Sequence, residues 1–388
     1  MTHLDAKTEF SPGLVRAGPA KKIMRHFPLR NIDKLLLFST IALAVFGILM
    51  IYSATRADIP STYYLKRQVM YFLLGLAVMV LAAGFDYHKV MPYSKIIYGT
   101  ILLLLLLVLL FPARGGAHRW ISMWLFDLQP SELAKLAVIL LLATFISDRR
   151  MEISSNKEFL QALAIAAVPM VFIFVEPDLG VTLSILVIFV GMMLVGGARL
   201  RQIAVLVVSA SALVVAGIEL NLFKAYQLTR LLVFIKPDID PLGAGYNLAQ
   251  SKIAIGSGQL LGKGLFHGTQ TNLKFIPAHH TDFIFSVVGE ELGFIGGMIL
   301  LALFTLLIWR AFKIAATARD PFGTMVATGI VVMFFFQILL NVGMAMGIMP
   351  VTGITLPFLS FGGSSLALNF LCVGLLLNIG MRRFPQGT

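Results

Sequence analysis

The 388-residue chain has a single cysteine, Cys372. No intrachain disulfide can form, and one thiol makes no metal cluster. Charge is scarce too: Asp, Glu, Lys and Arg together make up 13% of the residues, about half the share of an average soluble domain. Acidic residues are the scarcer kind, 19 against 31 basic. No polar stretch is long enough to form an appended soluble domain, and no internal repeat points to an inverted-repeat transporter. Apolar residues fill the length instead, at 58% with a mean hydropathy of +0.88. A soluble chain of this length would divide into two or three domains; this one divides into segments of membrane-spanning size.

Ten such segments are expected, at about 34–54, 68–85, 95–111, 132–147, 158–175, 179–196, 202–219, 283–309, 323–348 and 357–380. The predicted fold class is therefore all-α, a polytopic membrane protein. Residues 1–33 form a basic N-terminal tail, 34–380 a single ten-helix membrane domain, and 381–388 a short C-terminal tail. The first apolar run is too long for a signal-peptide core and reads as a retained span.

The net charge of +12 would suit nucleic acid or anionic lipid, yet topology accounts for much of it. Nineteen of the Lys and Arg residues lie in the tails and alternate short loops on one side, against six in the short segments on the other. This bias predicts that both termini are cytoplasmic. Six more lie in a long outer loop, about 221–281, between spans seven and eight. With apolar stretches such as "KIAIGSGQLLGKG", that loop reads as folded against the membrane.

Ionisable groups in or beside membrane spans are functional candidates by default. They gather at the outer span ends: Glu132 and Lys135 in "QPSELAK", Glu176 and Asp178 in "EPDLG", and Asp282 in "HHTDFIF". Asp282 is placed at the first turn of the eighth span, with Ser286 and Gly289 on its face. In an apolar, partly dry setting it would suit proton abstraction from a hydroxyl. The alternative is a carboxylate that complements the helix dipole. "HHTD" also offers imidazole and carboxylate ligands, but adjacent histidines suit one ion poorly, and Thr281 reads as an N-cap.

Glu132 and Lys135 are i, i+3, which fits a local ion pair or a pair lining a cavity where Lys135 meets an anionic ligand. "EPDLG" reads as a tight hairpin set by Pro177. Glu290 and Glu291, about 12 Å deeper, face away from Asp282 and should need partners on other helices. Outer Arg119, Arg230, Lys252 and Lys263 suit a phosphate-bearing ligand or lipid headgroups. Gln250 and Ser251 beside Lys252, and Trp120 beside Arg119, are candidate cavity residues. "GSGQLLGKG" fails the P-loop pattern, since Ser257 holds its first glycine position and Gly264 replaces the Ser or Thr. No nucleotide site is visible, which disfavours an ATP-driven pump.

The stretches "RWISMWLFDLQPSELAK", "EPDLG", "DPLGAGYNLAQSKIAIGSGQLLGKG", "GTQTNLKFIPAHHTDFIFSVVGEELGF" and "MGIMPVTGITLPFLSFGGSS" run in order from Arg119 to Ser365. Together they resemble the SEDS family, the shape, elongation, division and sporulation proteins. "GKGLFHGTQ" is similar to its elongation, RodA-like branch, and Ala278 departs from the glutamate that many relatives carry.

The resemblance implies a peptidoglycan glycosyltransferase of the bacterial cytoplasmic membrane, active on the extracytoplasmic face during elongation and rod-shape maintenance. It would link lipid II disaccharides into β-1,4 glycan, with a lipid II flippase or a non-catalytic scaffold as the alternatives. Asp282 would be the catalytic residue, and Glu132 and Lys135 would match a functionally important pair. No cofactor is required by the resemblance, and a divalent cation stays open without being indicated by the sequence. The implied partners are lipid II, the nascent lipid-linked glycan, a class B penicillin-binding protein transpeptidase and other elongation-complex membrane proteins, with no nucleic acid.

Overall fold

A computed structural model of the chain describes residues 31–56, 62–111, 119–122, 127–220, 229, 233–234, 236, 239–240, 243–273, 275–276 and 280–383. Arg230, Ala278 and most of both tails lie outside them. Ten apolar helices form where hydropathy places them: α1 (Lys34–Thr55), α2 (Tyr63–Gly84), α3 (Ser94–Val108), α4 (Pro130–Ser147), α5 (Asn156–Val175), α6 (Leu179–Val195), α7 (Leu200–Glu219), α10 (Ile284–Ala316), α11 (Pro321–Met346) and α12 (Gly363–Arg382). Between them lie a two-residue hairpin, β1 (Ile121–Ser122) with β2 (Asp127–Leu128), and the helices α8 (Ala244–Ser257) and α9 (Thr269–Asn272). Among the described residues, nine helices are long and apolar enough to cross a membrane, that of α3 counted from Tyr87. At 17 residues α6 is about 25 Å long, close to the thickness of a hydrocarbon core.

Aspartates start several helices by accepting orphan backbone N–H bonds. Asp33 accepts from Leu36 N at 3.1 Å, Asp178 from Val181 N at 3.3 Å and Asp320 from Gly323 N at 2.9 Å. Asp33 also pairs with Arg310, whose Nη2 lies 2.5 Å from its Oδ2, and this clips the start of α1 to α10.

Burial sorts the helices into layers. Helices α4, α11 and α12 form the centre, with 83%, 67% and 89% of their apolar windows buried, whereas α7 reaches only 11%. Small residues let backbones approach, as in membrane bundles generally: a side chain at Gly374 would meet Met79 and Ala82 of α2. Helix α7 is fastened near its first turn, where Gln202 donates to Asn156 Oδ1 at 2.9 Å. Beyond that it stands apart, and an apolar groove of about 570 Å³ opens between α5, α6, α7 and Pro350–Thr352.

Helix α10 differs from expectation. At 33 residues a straight helix would be about 50 Å long, well beyond a hydrocarbon core. It breaks at Gly293, where φ is 63° and ψ is −159°, a conformation open essentially to glycine alone. The gap is bridged by the segment that superficially resembles a P-loop. Lys263 N and Gly264 N donate to the carbonyls of Glu290 and Glu291 at 3.0 and 2.9 Å, while Phe294 N and Ile295 N donate to the carbonyls of Gln259 and Leu260 at 2.8 and 3.1 Å. Backbone groups orphaned by the break are thus satisfied within the protein, as a membrane interior requires. A Cβ at Gly293 would lie 2.3 Å from Gly262 N. Gly293→Ala is therefore expected to cost at least about 1–3 kcal/mol in backbone strain alone, read as a lower thermal midpoint in detergent. An unchanged midpoint would refute this account of the break.

Candidate functional site

The polar motifs converge at one end of the bundle. Helix α10 begins at Ile284 with Phe283 at its N-cap and no capping side chain. Asp282 therefore sits in the turn before the helix rather than in its first turn, and Thr281 is not the cap. The turn must satisfy its own carbonyls, and it does so with donors from distant residues. His280 O accepts from Phe361 N at 2.9 Å, Thr281 O from Ser360 Oγ at 2.6 Å, and Asp282 O from Asn341 Nδ2 at 2.9 Å. Asp282 is half-buried there, directly before the buried Phe283 and Ile284. His280 packs among aromatic rings, 4.7 Å from Tyr64 and 5.9 Å from Phe361 between centroids. Among the described residues, no group of three or more His, Cys, Asp or Glu is arranged to hold a metal ion; His279 lies outside them.

A second polar layer joins the other motifs. Gln129, just before α4, accepts its place from α12: its backbone N donates to Ser364 Oγ at 3.1 Å, and Ser364 Oγ donates to Asp127 O at 2.7 Å. Gln129 Nε2 reaches Asp178 Oδ2 at 3.3 Å. "EPDLG" is a hairpin between α5 and α6, as its proline suggests. Arg119 closes it by donating to Glu176 O at 2.9 Å and to Pro177 O, with Nη1 3.7 Å from Asp178 Oδ2. Its guanidinium is thus committed to the fold rather than presented to a phosphate. Trp120 is half-buried beside it.

Glu132 and Lys135 form the local ion pair, Nζ to Oε1 at 2.9 Å. Lys135 is 0% and Glu132 5% exposed, so the ammonium does not face an open cavity. Lys263 also points inward, 2.8 Å from Glu290 Oε1 and 2.7 Å from Thr269 Oγ1. Glu290 accepts further bonds from Gln270 N and Thr271 Oγ1 at 2.9 and 3.0 Å. Glu291 accepts from Ser53 Oγ of α1 at 2.7 and 2.6 Å. Both deep glutamates therefore find partners on other elements, and one of those partners is Lys263, which by sequence suits either a phosphate-bearing ligand or lipid headgroups. Ser251, another cavity candidate, is buried and bonded to Ser286 Oγ and Ala345 O, each at 2.6 Å. Gln250 is half-buried and Lys252 exposed on α8, with Lys252 passing over Gly347.

Glu176, in the turn between α5 and α6, is fully buried with neither carboxylate oxygen hydrogen-bonded. Burial, aided by nearby Asp178 and opposed by Arg119, pushes its pKa up from 4.5 to about 8. A raised carboxyl pKa stabilises the fold most below the unfolded value, and that stability is lost as pH rises through the folded one. The thermal midpoint is expected to fall between about pH 4.5 and 8, and Glu176→Gln should flatten that slope. An unaltered slope in the variant would rule Glu176 out as its source.

Residues without a sequence-level assignment complete the site: Gln129, Asn341, Ser360 and Ser364. Asn341 carried a signal as one of two amides, with Gln337, in the apolar run "FFFQILLNVGM". The serines lie within "TLPFLSFGGSS", a polar break before α12.

Comparison with known proteins places the chain in a family. Residues 33–384 match the FtsW/RodA/SpoVE family, described as cell cycle proteins. The chain is 39% identical over 357 residues to stage V sporulation protein E of Bacillus subtilis, covering 89% of this chain and 96% of that protein. It is 38% identical over 354 residues to the peptidoglycan glycosyltransferase MrdB of Escherichia coli K12, covering 91% and 94%. A solved structure described as structural coordination of polymerization and crosslinking by a peptidoglycan synthase complex superposes with a TM-score of 0.78 at 30% identity, covering 92% of this chain and 99% of the other.

Proposed function

The chain belongs to the FtsW/RodA/SpoVE family, the SEDS proteins, and from that membership we propose that it is a peptidoglycan glycosyltransferase that polymerises lipid II. The observation that carries this reading is its near-full-length likeness to a protein of that name, at 38% identity. The geometry supports it. A carboxylate on a turn held at three successive carbonyls stands at the end of an apolar bundle, where an acceptor sugar and a membrane-anchored donor can meet.

In the proposed reaction, the 4-hydroxyl of the acceptor disaccharide on lipid II attacks the anomeric carbon of the growing glycan. Asp282 takes the hydroxyl proton as general base. The C1–O bond to the pyrophosphate breaks, undecaprenyl pyrophosphate leaves, and inversion of the α-linked donor yields the β-1,4 bond. With Arg119, Lys135 and Lys263 engaged inside the fold, exposed Lys252, together with Arg230, becomes the preferred candidate to meet the pyrophosphate. The groove bounded by α7 reaches Pro177 and Thr352 beside the polar layer, and its apolar lining suits a polyprenyl chain. No cofactor enters this scheme.

The excess of Lys and Arg on one side supports cytoplasmic termini and a site on the extracytoplasmic face of the cytoplasmic membrane. In that frame residues 34–380 act as one membrane domain between two short tails. The likeness to a peptidoglycan synthase complex supports a crosslinking partner, read here as a class B penicillin-binding protein transpeptidase. Purified protein with such a partner, given labelled lipid II, is expected to make glycan polymer. No polymer, together with lipid II translocation in vesicles, would replace this reading with a flippase; neither activity would leave a scaffold.

A further inference from the structure

Three donors that hold the Asp282 turn come from outside its own helix, and two of them are side chains. Asn341 belongs to α11, where it is 0% exposed. Its Nδ2 donates to Asp282 O at 2.9 Å and to Ile354 O at 2.7 Å. Both neighbours are carbonyls and can only accept, so the amino group must face them and the amide orientation is fixed. The arrangement has a cost: Asn341 Oδ1 is buried without a hydrogen-bond partner. Buried orphan acceptors are rare and call for an explanation, and helix α11 itself gains nothing from this amide, since both of its bonds leave the helix.

Ser360 repeats the design from the other side. Its hydroxyl accepts from Leu356 N at 2.8 Å and so donates to Thr281 O at 2.6 Å. With Phe361 N on His280 O, three consecutive carbonyls are each tied to the segment from 341 to 361. The backbone that carries the carboxylate is then fixed, and only the side-chain torsions of Asp282 remain to be set.

We propose that Asn341 and Ser360 are positioning residues for Asp282, holding the carboxylate at its reacting distance through the carbonyls of its turn. The proposal rests on Asp282 being the general base. Neither side chain needs to touch substrate, so their effect falls on the chemical step rather than on binding. A displacement of about 1 Å at a reacting group lowers rate on the order of 10²-fold.

The test compares Asn341→Leu, Ser360→Ala, Ser360→Thr and Asp282→Ala with the native chain in the polymerisation assay, with folding checked by thermal midpoint. Leucine matches asparagine in size and suits an apolar helix, so a purely packing role predicts full activity. Positioning predicts folded Asn341→Leu and Ser360→Ala proteins with kcat lowered about 10- to 100-fold. KM for lipid II should stay within about threefold, and Ser360→Thr, which keeps the hydroxyl, should work near the native rate.

Native kcat in both variants, a rise in KM alone, or equal damage from Ser360→Thr and Ser360→Ala would overturn the proposal. If Asn341→Leu does not fold, the two serine variants decide it. An active Asp282→Ala protein would remove the general-base reading and this proposal with it. An inactive Asp282→Ala beside fully active Asn341→Leu and Ser360→Ala would remove the positioning role alone.

Discussion

Replacing Asp282 by alanine is expected to lower glycan polymerisation by about 10²–10⁴-fold, the usual contribution of a positioned general base. The turn should survive the change, because its three bonds run through main-chain carbonyls of residues 280–282 and none of these needs the carboxylate. Asp282→Asn should be about as inactive, since the amide keeps the shape but cannot take a proton. Glutamate, one methylene longer, should recover part of the rate if reach is the only defect. The measurement is polymer formed per folded molecule, with thermal midpoint as the control. Native rates in both the alanine and asparagine proteins would exclude Asp282 from the chemistry.

The second large effect concerns stability. Lys135 and Glu132 are sealed together inside the bundle at 2.9 Å. Removing either partner strands the other where water cannot reach it, a change that typically costs about 3–5 kcal/mol. Lys135→Ala is therefore expected to lower the thermal midpoint sharply, and any loss of activity should follow from that. Neutralising both members while keeping their volume, as Glu132→Gln with Lys135→Met, should restore most of the midpoint, because buried pairs replaced by matched neutral groups are often tolerated. Polymerisation in the double variant separates two roles. A regained midpoint with a regained rate marks the pair as structural. A regained midpoint with no polymer would show that one member reaches substrate, and the account of a sealed pair would then be wrong.

The helices were legible because burial in a membrane is a property of composition: about twenty apolar residues in a row leave the backbone few other solutions. Asp282, Glu290 and Glu291 stood out for the same reason, as carboxylates where carboxylates are costly. What stayed hidden depends on reach across the fold. Arg119 and Lys263 look alike in sequence, as basic residues near an outer interface, yet each turns to acceptors set by distant chain, the carbonyls of Glu176 and Pro177 in one case and the Glu290 carboxylate in the other. Ser360 bonds a backbone carbonyl, and such a bond leaves no periodic trace. The break in α10 was masked because "GEELGFIGGM" offers several glycines, and only the segment packed against it shows which one turns.

That break also changes what a topology map of this protein would mean. Gly293 lies nine residues beyond Ile284, about 13 Å along the helix, so the segment that fills the gap, Gln259 to Gly264, descends well below the start of α10. Among the described residues, a non-helical stretch thus runs level with Glu290 to Ile295 of a membrane-sized helix. A reporter inserted into that segment would break the backbone pairs that close the gap in α10, so its signal would report the disruption of that helix and not only the compartment beside it.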